Sequence, residues 1–247
     1  MYMHEIIKRF KEEFHISTIT GLMMLHNFKW PWCLEDLTNY VDDIYLLLHY
    51  SPGVVVDWWR KNPKLKKFIE IKETNEWQVT GFCGREGSKY QGEFRDKLLR
   101  MLDKVQPDMV FFPDEDEALP EPEYLVRDLE KLYKSKKKQL AFKRCNFWDS
   151  MEMVRKDKWI QFSPHVKIYK WQPNLTYLPY IGWNSVSTYG KTRMVAKSAY
   201  KHYAYLEKDE RERRFREQYI EKQDIYKGLF DKPVLVKYTN ALKVPRT

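Results

Sequence analysis

Apolar positions along the first 150 residues alternate between two rhythms. Residues 16–25, Ile-Ser-Thr-Ile-Thr-Gly-Leu-Met-Met-Leu, are β-branched or apolar with few interruptions, the pattern of a strand buried in the centre of a sheet. His26 and Asn27 close it with polar side chains. Pro31 then suits the first turn of a helix, and Leu34, Leu37, Tyr40 and Val41 recur at helical spacing. Ile44 to His49 is a second strand, ended by Ser51-Pro52-Gly53, and Lys67 to Ile71 a third. After a polar stretch with Gly81, Gly84, Gly87 and Gly92 comes a helix carrying Phe94, Leu98, Leu99 and Leu102 on one side, which Pro107 ends. Met109 to Phe112 is short and wholly apolar, as suits the middle of a parallel sheet covered on both faces. A helix over Glu123 to Tyr133 and a strand over Gln139 to Phe147 follow. Beyond residue 148 the pattern loosens around Trp159, Trp171 and Trp183, and a long charged helix is expected from about Lys191 to about Ile220. Alternating strands and helices predict an α/β fold with a mostly parallel sheet. With no internal repeat or linker, residues 1–247 are expected to form one domain.

Composition narrows the class. Of 247 residues 43% are hydrophobic and 32% charged, with 13 Phe, 17 Tyr and 9 Trp, which excludes a disordered or low-complexity chain. The net charge of +9 is unevenly placed: residues 1–124 hold 16 basic and 22 acidic side chains, and residues 125–247 hold 28 and 13. A positive second half favours an anionic partner such as a nucleotide diphosphate, nucleic acid or an anionic membrane surface. Lys134 to Lys138 forms a bare cationic cluster, whereas Arg211 to Arg216 alternates signs as solvated helices do. No apolar run approaches the roughly 20 residues needed to cross a bilayer. Residues 1–14 intersperse charges with Ile6, Ile7 and Phe10, unlike a signal peptide, so a cytoplasmic location is expected. Cys33, Cys83 and Cys145 are odd in number and widely spaced, which predicts reduced, mostly buried thiols rather than disulfides or a zinc site.

The chemistry concentrates at Asp114-Glu115-Asp116-Glu117, directly after the apolar strand. Ligands on open α/β sheets bind outside the carboxyl ends of strands. Carboxylates at i and i+2 converge only in a turn, where they can hold a hard divalent cation with positions open for phosphate oxygens. An acidic tetrapeptide alone is more often a solvated loop; the buried strand before it reverses that preference.

Phe111-Phe-Pro-Asp-Glu-Asp-Glu-Ala-Leu119 resembles the Asp-x-Asp-Glu segment of family 2-like glycosyltransferases with the GT-A fold. Met23-Met-Leu-His-Asn27 with Trp32-Cys-Leu34 is similar to the first strand and following helix of that family, and Asp43-Ile-Tyr-Leu-Leu47 to its second strand. Gln91 to Leu99 is similar to the helix before the metal motif. Lys143-Arg-Cys-Asn-Phe-Trp148 through Arg155, Asp157 and Trp159 resembles the acceptor-side strand and loop, and Lys201-His-Tyr-Ala-Tyr205 the C-terminal histidine segment. The resemblance spans roughly residues 16–220. The family's usual Asp-x-x-Ser-x-Asp run after the second strand is replaced by His49-Tyr-Ser-Pro-Gly, with Asp57 the next acid.

This resemblance implies a GT-A fold with a nucleotide-sugar and metal half (about residues 16–148), an acceptor half (about 149–247) and a basic helical C-terminal segment. It implies an enzyme that moves a sugar from a nucleotide-diphosphate sugar to a hydroxyl, with Mn²⁺ or Mg²⁺ bridging the two phosphates. Asp114 and Asp116 are the implied metal ligands, with His202 as a third or as a hydrogen-bond donor to the diphosphate. His26, Asn27, Asp57, Arg95, Asp114 and Glu115 are the positions expected to meet the donor nucleotide. For an inverting displacement a carboxylate must take the acceptor's proton, and the candidates are Asp149, then Asp157 and Glu152. Trp148, Trp159, Trp171 and Trp183 offer flat faces for a sugar or base. Two acceptors are weighed equally. One is DNA bearing a hydroxymethylated base, since viral, phage-type enzymes of this activity exist; the other is a surface polysaccharide or lipid-linked glycan. A non-catalytic nucleic-acid-binding protein on the same scaffold is the reading from a different class.

Overall fold

The computed structural model describes residues 2–26, 30–49, 59–71, 85–155, 164–173, 175–177, 186–187, 192–218 and 233–238. Its first half is a parallel sheet. Strand β1 (Ile19–His26) lies between β2 (Asp43–His49) and β4 (Met109–Phe111), with β3 (Leu65–Ile71) beyond β2, all in parallel register. Burial of β1 on both faces explains its unbroken apolar sequence. Met23 and Leu25 pack with Leu34 and Leu37 of α2 (Pro31–Thr38), while Leu22 and Met24 pack with Leu98 and Leu99 of α3 (Arg85–Arg100). Gly21 lets α2 approach: a Cβ there would stand 3.0 Å from Leu37 Cδ2 and 3.2 Å from Val41 Cγ2. Gly21→Ala is therefore expected to cost about 1–3 kcal/mol by overpacking. Chemical denaturation measures this, and an unchanged midpoint would mean that α2 has room to move.

The second half turns antiparallel. Strand β8 (His165–Lys170) is antiparallel both to β4 and to β6 (Gln139–Trp148), so β4 has a parallel neighbour on one side only, contrary to its apolar run. Beyond β6 come β7 (Ser150–Arg155) and β12 (Leu235–Lys237). The pair β9 (Thr176–Tyr177) and β10 (Val186–Ser187) stands apart. Helix α4 (Pro122–Lys134) precedes β6, as its periodicity predicts. With parallel pairing over most of the paired residues and helices on both faces, this is the mostly parallel α/β architecture that the alternation of strands and helices predicted.

One element lay outside the expectations, and one expectation needs correction. Residues 2–14 form a helix, α1 (Tyr2–Phe14), whose Ile7 and Phe10 are buried and whose Phe14 meets Tyr133 of α4 with ring centroids 5.1 Å apart. The long helix expected from Lys191 begins instead as β11 (Arg193–His202), with helix α5 over Lys208–Gln218 and the residues directly after it outside the described ones. Ala196 and Tyr200, four residues apart, satisfy both a helical and a strand period. The outcome is decided by pairing: β11 lies parallel to β6, and its last two residues pair antiparallel with β5 (Glu117–Ala118). Within β11 the register slips, Val195 lying opposite Ala141 and Ala199 opposite Lys143. Buried Asp128 of α4 fills this bulge, accepting from Lys197 N at 3.1 Å, Ser198 N at 2.9 Å and Ser198 Oγ at 2.7 Å.

Cys33 is buried and Cys145 half-buried, both as free thiols; Cys83 lies outside the described residues. Among the described residues no helix is long and apolar enough to cross a membrane.

Candidate active site

The acidic segment is shaped by the strands on either side of it. Phe112 N donates to Lys167 O of β8 (2.7 Å), and the chain turns at Pro113, closing with Glu117 N to Asp114 O at 3.0 Å. Glu117 returns its carboxylate to Asp114 N at 2.8 Å. Strand β5 then pairs with the end of β11, Glu117 opposite His202, and Tyr203 N donates to Asp116 O at 2.8 Å. Two segments distant in sequence are thereby clamped together. Asp116, Glu117 and His202, all buried, present ligand atoms within 4.8 Å of one another. His202 Nε2 stands 3.8 Å from Asp116 Oδ2, and its Nδ1 is 2.6 Å from Asn146 Oδ1 on β6.

Behind this cluster lies a buried ion network. Lys167, 1% exposed, reaches Asp114 Oδ2 at 2.8 Å and Glu117 Oε2 at 2.6 Å, while Arg95 of α3, also buried, grips the other oxygen of Asp114. The Arg95 guanidinium rests over Phe112 and Tyr177, 5.0 and 5.4 Å from the ring centroids. Burial alone would raise the Asp114 pKa, but Arg95 and Lys167 together hold it well below the ordinary carboxylate range. For Glu117 burial and the charge on Asp114 prevail over Lys167 and push it upward. With all three carboxylates ionised, two cations face them and the cluster carries one negative charge, suited to a divalent cation that in turn meets an anion.

Asp36 of α2 supports the far side of the segment, accepting from Leu119 N at 2.9 Å. Burial raises its pKa to about 6, against the Leu119 N–H and the nearby Lys201. Because the folded-state value is raised, the contribution of Asp36 to stability is fully present below its ordinary pKa of 3.8 and is lost as pH rises through about 6. Asp36→Asn keeps an acceptor for Leu119 without a charge to bury. Relative to the parent it is expected to gain on the order of 1–2 kcal/mol between about pH 4 and about pH 8, read from urea midpoints. Parallel profiles for the two proteins would show that Asp36 does not titrate in this range.

The other residues singled out in the sequence are dispersed. His26 ends β1, its backbone in register with His49; Asn27, Asp57, Asp157, Trp159 and Trp183 lie outside the described residues. Glu115 is half-buried at the tip of the acidic turn. Lys97 is exposed beside Phe94, whereas Arg95, expected to meet the donor nucleotide, is committed to Asp114. Asp149 is exposed in the β6–β7 turn at φ 61°, its carboxylate bound by Arg211 of α5, and Glu152 is exposed on β7. Buried Trp148 carries the guanidinium groups of Arg155 and Arg211 at 4.7 and 4.6 Å from its ring and stacks on Tyr205, which meets His202 at 5.4 Å. Trp171 is half-buried at the end of β8. Lys134 to Lys138 precedes β6, at the end opposite Asn146 and roughly 20 Å from it at about 3.3 Å per residue.

Sequence reasoning missed Glu117 as a ligand, and Lys167, Asn146 and Asp36 altogether. Only Lys167 left a local trace, as a cation flanked by Val166 and Ile168 in a short strand.

No protein-family model and no curated protein matches this chain. Among solved structures it is similar to 4-diphosphocytidyl-2C-methyl-D-erythritol synthase from Anaerococcus prevotii DSM 20548, at 13% identity and a TM-score of 0.34 over 62% of this chain and 70% of that one. It is also similar to mannosyltransferase PcManGT from Pyrobaculum calidifontis, solved with GDP-Man and Mn²⁺, at 12% identity and a TM-score of 0.33 over 57% and 47% of the two chains. HddC from Yersinia pseudotuberculosis gives 12% identity and a TM-score of 0.33 over 80% and 97%. Likenesses this slight carry no inference about activity, so the reading of the site rests on its own geometry.

Proposed function

We propose that this chain is a metal-dependent glycosyltransferase that moves a sugar from a nucleotide-diphosphate sugar to a hydroxyl acceptor. The observation that carries the reading is the convergence of Asp116, Glu117 and His202 where the chain leaves the carboxyl end of β4. Two carboxylates and one imidazole nitrogen suit Mn²⁺ or Mg²⁺, the nitrogen favouring Mn²⁺. Bound there, such a cation supplies charge neutralisation for the leaving diphosphate. Asp114 acts from behind the turn, holding Arg95 and Lys167 as a fixed positive layer.

Asp149 is the carboxylate proposed to take the acceptor's proton: the Arg211 that it binds lies over Trp148, which stacks on Tyr205 beside His202. In that displacement the acceptor oxygen bonds to the sugar carbon, its proton passes to Asp149, and the electron pair of the broken sugar–phosphate bond leaves with the diphosphate. The charge of the second half favours an anionic acceptor, with DNA bearing a hydroxymethylated base as the first to test.

Thermal unfolding with UDP, GDP, CMP and TDP sugars, with and without Mn²⁺, tests the donor reading. A cognate donor at about 100 times its Kd adds about 2.7 kcal/mol, a rise of roughly 5–10 °C that requires the metal. No shift with any donor would overturn the reading in favour of a non-catalytic scaffold.

A further inference from the structure

We infer that Asn146 is a positioning residue that keeps the lone pair of His202 Nε2 aimed into the acidic cluster; the inference rests on the metal reading above. The two residues are brought opposite each other by β6 and β11. Because the bulge advances β11 by four residues against two on β6, His202 reaches Asn146; without the slip Tyr200 would stand there. Asp128, which holds the bulge, thus sets the pairing of two side chains that it does not touch.

The pair is buried, Asn146 at 1% and His202 at 5% exposure, and the Nδ1 to Oδ1 separation is 2.6 Å. An amide oxygen can only accept, so the proton of this bond sits on Nδ1. Neutral imidazole has one N–H, which leaves Nε2 with its lone pair, and Nε2 is the nitrogen 3.8 Å from Asp116 Oδ2. Edge-on contacts from Tyr200 and Tyr205, at centroid distances of 6.4 and 5.4 Å, hold the ring plane. A metal-binding histidine needs this arrangement: one nitrogen tied to an acceptor, the other facing the carboxylates.

Nitrogen NMR of the metal-free protein, with the His202 signals assigned by their loss in His202→Gln, reads the tautomer directly. The expected wild-type result is a proton on Nδ1 and a bare Nε2. Asn146→Leu, which removes the acceptor, should lose this preference and bind Mn²⁺ about 10–100-fold more weakly. Asn146→Asp, which restores an acceptor oxygen, should recover both. At a pH high enough for the imidazole to be neutral, a wild-type proton on Nε2 with none on Nδ1 would mean that Asn146 presents its NH₂ group and would overturn the inference, as would a leucine variant that folds and keeps both tautomer and affinity. Absence of Mn²⁺ binding by the wild type would overturn the metal reading, and the inference with it; the tautomer measurement, needing no metal, separates the two failures.

Discussion

A Lys167→Met chain is expected to unfold roughly 6–20 °C below the parent, the loss corresponding to about 3–5 kcal/mol for breaking a buried ion network. Methionine fills much of the same space, so the deficit comes from charge rather than from a cavity. Lys167 is the cation shared by Asp114 and Glu117, at 2.8 and 2.6 Å, and without it Glu117 loses its only ion-pair partner among the described residues that the geometry identifies. Arg95 still covers Asp114. The deficit should narrow as pH is lowered, because each stranded carboxylate then takes a proton and its burial ceases to be costly. Thermal melts across pH check both parts. A melting temperature close to the parent's at neutral pH would show that water, not Lys167, satisfies these carboxylates.

Asp116→Asn tests the other side of the same turn. The substitution leaves the backbone bond from Tyr203 N to Asp116 O in place and removes one negative charge from the cluster. The metal-free protein is therefore expected to stay folded. Mn²⁺ affinity should fall by more than the roughly 10–100-fold typical of losing an outer hydrogen-bond partner, and the metal-dependent stabilisation by a cognate sugar nucleotide should vanish. Calorimetric titration with Mn²⁺, followed by melts with the donor, measures both. Undiminished metal binding would remove Asp116 from the ligand set.

How much of this was legible beforehand differs by region. The strands of the parallel half were read to within a few residues, because β1, β2 and β4 carry continuous apolar runs, and Pro31 with the spacing of Leu34 and Leu37 marks α2; Gly87 and Gly92, placed ahead of the next helix, lie inside α3. The acidic turn was legible for the same reason: four carboxylates after a buried strand have few structural uses. The region after Trp148 was not. The strands there take their stability from partners far away in the chain, and the side-chain pattern of β11 fits helix and strand alike, as in Ala196 and Tyr200.

The sequence by itself determined the α/β alternation, the central strand, the place of the acidic segment and the presence of a late histidine beside aromatic residues. Those follow from local propensity and from apolar periodicity, which report burial without needing to know the partner. Only the tertiary structure decided which carboxylates share a site. Adjacent acids in a turn point different ways, and their partition depends on neighbours from elsewhere: Arg95 of α3 and Lys167 of β8 take Asp114, while the pairing of β5 with β11 delivers His202 to Asp116 and Glu117. The register of β11 against β6, which sets Asn146 opposite His202, contains a two-residue slip held by Asp128. Interactions of this kind join positions tens of residues apart, and no local pattern along the chain encodes them.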